Sequence, residues 1–208
     1  MISRRTFTCL LPALLALTAV VAPACGSNNP TAPSAVTVVA FGDSITAGVG
    51  TTGNNDYVSL LSNRTGTAII NSGRSGDTTA SALARINAAV LSRDADIVIV
   101  LLGGNDLLQG VPVPQRIANI TTIVQQIRAD GAAVILVGLG NGPLDPFEGA
   151  LPGIATQNSS TLVPGILEGI FGVSGLMADL IHPNNAGHAI IADRIEPALR
   201  AALAAAGS

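Results

Sequence analysis

Residues 36–48 read Val36-Thr37-Val38-Val39-Ala40-Phe41-Gly42-Asp43-Ser44-Ile45-Thr46-Ala47-Gly48, a β-branched apolar run that stops abruptly at glycine, acid and hydroxyl. A short run with so little polar alternation predicts a strand, Val36 to Phe41, buried on both faces in a parallel sheet. The same kind of run recurs at Ala68–Asn71, Ile97–Leu102, Val134–Val137 and Thr161–Val163. Between them lie longer amphipathic stretches, Asp56–Asn63, Thr79–Ser92, Pro114–Asp130 and Ala186–Ala205, which predict helices. Alternation of this kind predicts an α/β sandwich with helices on both faces of the sheet. Pro114 suits a first helical turn and Gly131 a C-terminal stop. The stretch 138–175 resists such a reading, because Gly and Pro recur every few residues and no clean 3.6 period emerges.

The 208 residues allow one ordinary domain plus an N-terminal extension. Apolar residues make up 48% of the chain and aromatics 2%, so Ala, Val, Ile and Leu must build the core. All ten basic residues are arginines, set against 13 acidic ones. Without Arg4 and Arg5 of the leader, eight arginines face 13 acids, a net charge of −5 with no basic cluster to neutralise phosphates. Nucleic acid is excluded as a partner on that ground.

Residues 1–24 read as a signal peptide: Ser3-Arg4-Arg5-Thr6-Phe7, then the apolar stretch Leu10 to Val21, then small residues. The paired arginines followed by Phe7 resemble the twin-arginine export motif, which implies export from a bacterial cytoplasm in the folded state. Ala22-Pro23-Ala24-Cys25 has the small residues and cysteine of a lipoprotein cleavage site, although Ala22 and Pro23 depart from its usual form. Cys25 is therefore a candidate for lipidation and membrane attachment. Plain cleavage after residues 22–24 is the alternative, and gives a secreted chain with one unpaired thiol. Residues 25–35 read as a polar linker with too little apolar surface to pack, so the folded domain is expected over 36–208. With Cys9 in the leader, an intramolecular disulfide and a Cys-based metal site are both excluded. No metal or cofactor is expected.

The chemistry-bearing residues gather at the ends of the predicted strands. Ser44 follows the first, where open α/β sheets bind ligands, with a glycine before it for a tight bend and a helix expected after it. A helix cap by Asp43 or Ser44 would explain the same residues without chemistry. A hydroxyl needs a base, and the chain offers two histidines, His182 and His188. Asp179 precedes His182 by three positions, so its carboxylate can reach Nδ1 and leave Nε2 facing the serine. His188 has no acid within four positions. Asn71-Ser72-Gly73-Arg74-Ser75-Gly76-Asp77-Thr78 follows the second strand, and Gly103-Gly104-Asn105-Asp106 the third. A close backbone N–H at Gly76 and the uncharged donor of Asn105 suit a developing oxyanion.

Gly-Asp-Ser, a loop glycine, Gly-x-Asn-Asp and Asp-x-x-His-Pro, in this order, resemble the four blocks of SGNH (GDSL) hydrolases. Within them the chain resembles the bacterial arylesterase, thioesterase and lysophospholipase group. Leu162-Val163-Pro164 and Leu167-Glu168-Gly169 are similar to that group as well. The resemblance covers roughly 36–197 and implies a flavodoxin-like three-layer fold with a five-stranded parallel sheet of order 2-1-3-4-5. It implies a serine ester hydrolase with Ser44 as nucleophile, His182 as base and Asp179 as its partner. It also implies an oxyanion hole made by the Ser44 and Gly76 N–H groups and the Asn105 side chain, with Asp43 and Asp106 in support. One departure stands out. The family carries a helix between the fourth and fifth strands, whereas Asn141 to Ser160 is Gly- and Pro-rich, so a helix-poor segment and a badly covered edge strand are expected.

Four rivals compete with this expectation. Gly48-x-Gly50-x-x-Gly53 matches a dinucleotide fingerprint as a string, but begins too far from the strand. Thr46 stands where a Gly-x-Ser-x-Gly elbow needs glycine, which disfavours the α/β-hydrolase fold. A tethered binding protein without turnover, or a carbohydrate O-acetylesterase, would keep the same fold. Few aromatics and a Gly-rich rim predict an open, shallow site for short or flexible acyl groups of a small-molecule or lipid ester. Oligomeric state is not legible.

Overall fold

The computed structural model describes residues 36–140 and 145–207. The leader, the linker and Cys25 lie outside the described residues.

Five strands form one parallel sheet: β1 (Val38–Gly42), β2 (Ile69–Gly73), β3 (Ile97–Leu101), β4 (Ala133–Val137) and β5 (Thr161–Val163), in the order β2-β1-β3-β4-β5. The expected order is the observed one. Strand bounds differ from the sequence reading by a residue or two, β1 starting at Val38 and β2 running on to Gly73.

Side chains along each strand alternate between two cores, as the pleat requires. Val39, Phe41, Val98, Val100, Val134 and Leu136 face one side, where Ile86 of α2 (Thr79–Ala89) and Ile123 of α4 (Val113–Ala129) cover them. Val38, Ala40, Ile97, Ile99 and Ile135 face the other, under Leu61 of α1 (Tyr57–Thr65) and Ile191 of α6 (Asn185–Ala206). Helix starts are set by side-chain caps. Asp56 accepts from Ser59 N at 2.9 Å, Thr78 and Ser81 form a capping box, and Asn184 accepts from the Ala186 and Gly187 N–H groups.

Two helices escaped the sequence reading. One is α3 (Gly104–Leu108), a short helix begun by the left-handed Gly103. The other corrects the expectation of a helix-poor stretch over 141–160, since α5 spans Pro146–Gln157. Asp145 caps it by accepting from Phe147 N at 3.1 Å, and Pro146 takes the first turn, where its missing N–H costs nothing. Phe147, Leu151, Ile154 and Ala155 recur at helical spacing and are buried in the core beside α4. Pro152 and two glycines hide that period from a composition-based reading, but burial of four apolar side chains outweighs their low propensity. The edge of the sheet is therefore covered, contrary to expectation.

The strand registers align Gly42 with Gly73 and Leu101, and Leu101 with Val137. All five chains leave the sheet along one edge, and there the loops meet.

Candidate active site

Ser44 sits two residues past the end of β1. The helix expected after it does not form. Residues 44–50 instead make successive turns, with Ala47 N donating to Asp43 O and Val49 N to Ser44 O, and the first helix waits until Tyr57. These turns end at Gly50, whose φ of +95° lies in the left-handed region. A Cβ there would meet the Pro183 carbonyl and lie 3.1 Å from His182 Cβ. Glycine is thus what lets the serine loop press against the histidine loop.

Residues 177–183 form a tight return closed by the Met177–Pro183 bridge and by Ala178 N donating to His182 O. Asp179 shapes it from inside, with Oδ1 accepting from the Ile181 and His182 backbone N–H groups, both at 2.8 Å. Its Oδ2 lies 2.7 Å from His182 Nδ1, and His182 Nε2 lies 3.1 Å from Ser44 Oγ. The hydrogen bond from the imidazole, then those two backbone donors, lower the Asp179 carboxyl to about 2. A carboxylate on Nδ1 holds the proton there and leaves Nε2 free to accept from the hydroxyl. The fold brings together the three side chains that the sequence reading grouped.

His188, the other histidine, is buried away from Ser44. Its Nδ1 accepts from Tyr57 N at 3.1 Å, and burial lowers it to about 4. The buried Tyr57 hydroxyl bonds Thr46 Oγ1 at 2.9 Å, and burial raises the phenol. His188 therefore braces the start of α1 and the serine loop.

Asn105 lies in α3 and lines the cleft beside Ser44. Its Nδ2 donates to Asp77 O at 3.0 Å and stands 3.5 Å from Asp43 Oδ2. Gly76 precedes Asp77 with a φ of +82°, and open space lies where a Cβ would be, so conformation rather than crowding calls for glycine. Asp43 caps no helix; it accepts from Ile45 N at 3.0 Å and so closes the first of the turns. Burial raises its carboxyl to about 6, and the Ile45 hydrogen bond offsets only part of that. Asp106 accepts from Thr79 N and Thr79 Oγ1 at 2.8 and 2.6 Å, which ties α3 to α2.

The cleft beside Ser44 and His182 encloses about 550 Å³ open to solvent. Ile45, Leu107, Leu108, Leu139, Leu167, Phe171 and Ile181 line it. The rim is thus aliphatic with one ring, not Gly-rich. Leu108 and Phe171 stay more than half exposed in a chain whose other large side chains are mostly buried. Two arginine pairs behind the loops, one buried and one partly buried, also went unread. Arg116 bonds Asp145 at 2.7 Å and stacks 4.4 Å over Phe147, and Arg85 bonds Asp77 at 2.5 Å. A signal was present. Arg85 falls on the Ala82–Ile86–Ala89 face of α2 and Arg116 four residues before Ile120, core-facing positions where a charge needs a buried partner.

A parallel sheet with a hydroxyl–imidazole–carboxylate series at its carboxyl edge defines a hydrolase of the three-layer α/β/α class. The chain belongs to the GDSL-like lipase/acylhydrolase family, whose model matches residues 40–190. It is 35% identical over 179 residues to esterase TesA of Pseudomonas aeruginosa, covering 80% of this chain and 89% of that protein. It is 29% identical to thioesterase 1/protease 1/lysophospholipase L1 of Escherichia coli strain K12, over 78% of this chain and 82% of that one. A crystal structure of TesA superposes with a TM-score of 0.75 at 35% identity, covering 80% of this chain and 99% of that chain. This protein is a serine ester hydrolase acting on carboxylic esters.

Proposed function

We propose that Ser44 is the nucleophile, His182 the general base and Asp179 the group that orients and stabilises the imidazolium. The observation that carries this is the pair of contacts at 3.1 and 2.7 Å opening onto an apolar cleft. As Oγ attacks the ester carbonyl, its proton passes to Nε2, and the carbonyl oxygen becomes an oxyanion. The Ser44 and Gly76 N–H groups and Asn105 Nδ2 receive that charge. Nε2 then returns the proton to the leaving alkoxide as the C–O bond breaks. Water repeats the sequence on the acyl-serine and frees the acid.

The aliphatic lining favours an acyl or aryl group over a carbohydrate, so arylesterase or lysophospholipase-like substrates are the reading. The leader 1–24 directs export, and lipidated Cys25 with the linker 25–35 holds the enzyme on the cell envelope. Hydrolysis of p-nitrophenyl esters from acetate to laurate by the chain from Gly26 onward, with Ser44→Ala in parallel, tests the chemistry. Activity that rises beyond acetate and vanishes in the variant is expected. Activity confined to acetate would favour the O-acetylesterase, and turnover surviving in Ser44→Ala would remove the serine from the mechanism.

A further inference from the structure

Arg85 lies on α2, outside the four motif blocks, yet its guanidinium touches three of the segments that build the site. Nε donates to Asp77 Oδ2 at 2.5 Å, while Nη2 donates to Gly42 O at 3.1 Å and Ser72 O at 2.8 Å. The same group lies 4.6 Å over the Phe41 ring, a further contact on its face. Gly42 ends β1 two residues before Ser44, and Ser72 lies in β2, whose following loop carries Gly76. Asp77 follows Gly76, and its carbonyl accepts from Asn105 Nδ2 at 3.0 Å. Arg74 and Ser81 also bond the Asp77 carboxylate, at 2.6 and 2.8 Å, so this buried acid is held from three sides.

We propose that Arg85 is a positioning residue that sets the spacing of the oxyanion donors. The inference rests on the oxyanion assignment above. The Arg85–Asp77 pair joins the β1 end to the Gly76 loop and on to Asn105, beside the direct contacts Arg74 N to Gly42 O and Asn105 Nδ2 to Asp43 Oδ2. Planarity matters. A guanidinium presents Nε and Nη2 in a fixed fork, so it meets a carboxylate and two strand-end carbonyls at once, which a single ammonium cannot do. Oxyanion stabilisation depends on donors held in place before the charge appears, so a loosened loop loses transition-state binding while ground-state binding of the ester persists.

The test compares Arg85→Ala and Arg85→Lys with the unmutated enzyme in the chain from Gly26 onward. Steady-state hydrolysis of p-nitrophenyl butyrate is to be measured alongside inhibition by an alkylboronic acid, whose serine adduct carries the tetrahedral anionic oxygen. For Arg85→Ala, kcat is expected to fall about 10²-fold, with KM unchanged, boronate affinity lost by a similar factor, and added guanidinium ion restoring part of kcat. Arg85→Lys keeps the ion pair, loses the fork and is expected in between. A folded Arg85→Lys with wild-type kcat and boronate affinity would overturn the proposal, and so would a kcat loss that leaves boronate affinity intact. Backbone amide exchange gives a readout free of the catalytic assignment. Faster exchange at 43–46 and 74–78 in Arg85→Lys, with α2 protected as in the wild type, is expected, and unchanged exchange there refutes the positioning role whatever the enzyme hydrolyses.

Discussion

At the scale of single residues, the site separates groups that do chemistry from groups that carry its electrostatic cost. Ser44→Ala or His182→Ala should lower kcat by about 10⁶-fold, while Asp179→Asn should cost about 10⁴-fold, because orientation is lost but the base remains. Steady-state ester hydrolysis checks the ranking. If His188→Ala, and not His182→Ala, removes activity, the base assignment fails. Asp43 gives a different prediction. Its carboxyl is raised by burial to about 6 against 3.8 unfolded, so the fold keeps its proton to higher pH than the unfolded chain does. Ionisation of this group therefore erodes stability as pH climbs from about 3.8 through about 6. Asp43→Asn keeps the acceptor for Ile45 N and removes that loss, so thermal melting should place the variant above wild type at pH 8 and level with it below pH 4. Ser44, Gly76 and Asn105 were legible as candidates because reactive or flexible residue types stood after predicted strands, and Asp179 and His182 because of their spacing of three. Arg85 and Arg116 were not, since a helix period records which residues face inward and not what a buried charge meets there.

At the scale of elements, α5 and α6 define what a single chain could and could not tell. The central strands β1, β3 and β4 read cleanly because buried parallel strands are continuous apolar runs, while β2 and β5 at the sheet edges carry polar residues and read less sharply. Helix α5 did not read as a helix, because Pro146, Gly149, Pro152 and Gly153 mask the period of Phe147, Leu151, Ile154 and Ala155, and only packing reveals it. The Phe147 ring lies between Arg116 and Gly103, so Phe147→Ala should cost about 3–5 kcal/mol in denaturant unfolding. A loss well under 1 kcal/mol would mean that α5 is not integral to the core. In α6, His188 must stay neutral to accept from Tyr57 N. Its folded value of about 4 lies below the unfolded 6.5, so its contribution is whole above pH 6.5 and is lost as pH falls toward 4. His188→Gln should flatten the fall of melting temperature across that window, and an unchanged slope would assign it to other groups.

At the scale of the whole molecule, the proposed export role of residues 1–24 and lipidation of Cys25 make predictions that fractionation of an expressing bacterium can check. Arg4→Lys together with Arg5→Lys should leave the enzyme in the cytoplasm, and Cys25→Ser should release it from the membrane fraction to the soluble envelope or medium. Export unaffected by the arginine pair would mean a different route. The layout of the site along the chain has a consequence in time. Ser44 stands near the start of the folded domain, while Asp179 and His182 come just before α6, the last element. A growing chain carries its serine well before the carboxylate and imidazole that meet that hydroxyl, whose loop precedes the helix packed on α1. On the proposed roles of Ser44 and His182, a chain cut short before residue 182 should therefore hydrolyse no ester, however well its first strands have assembled.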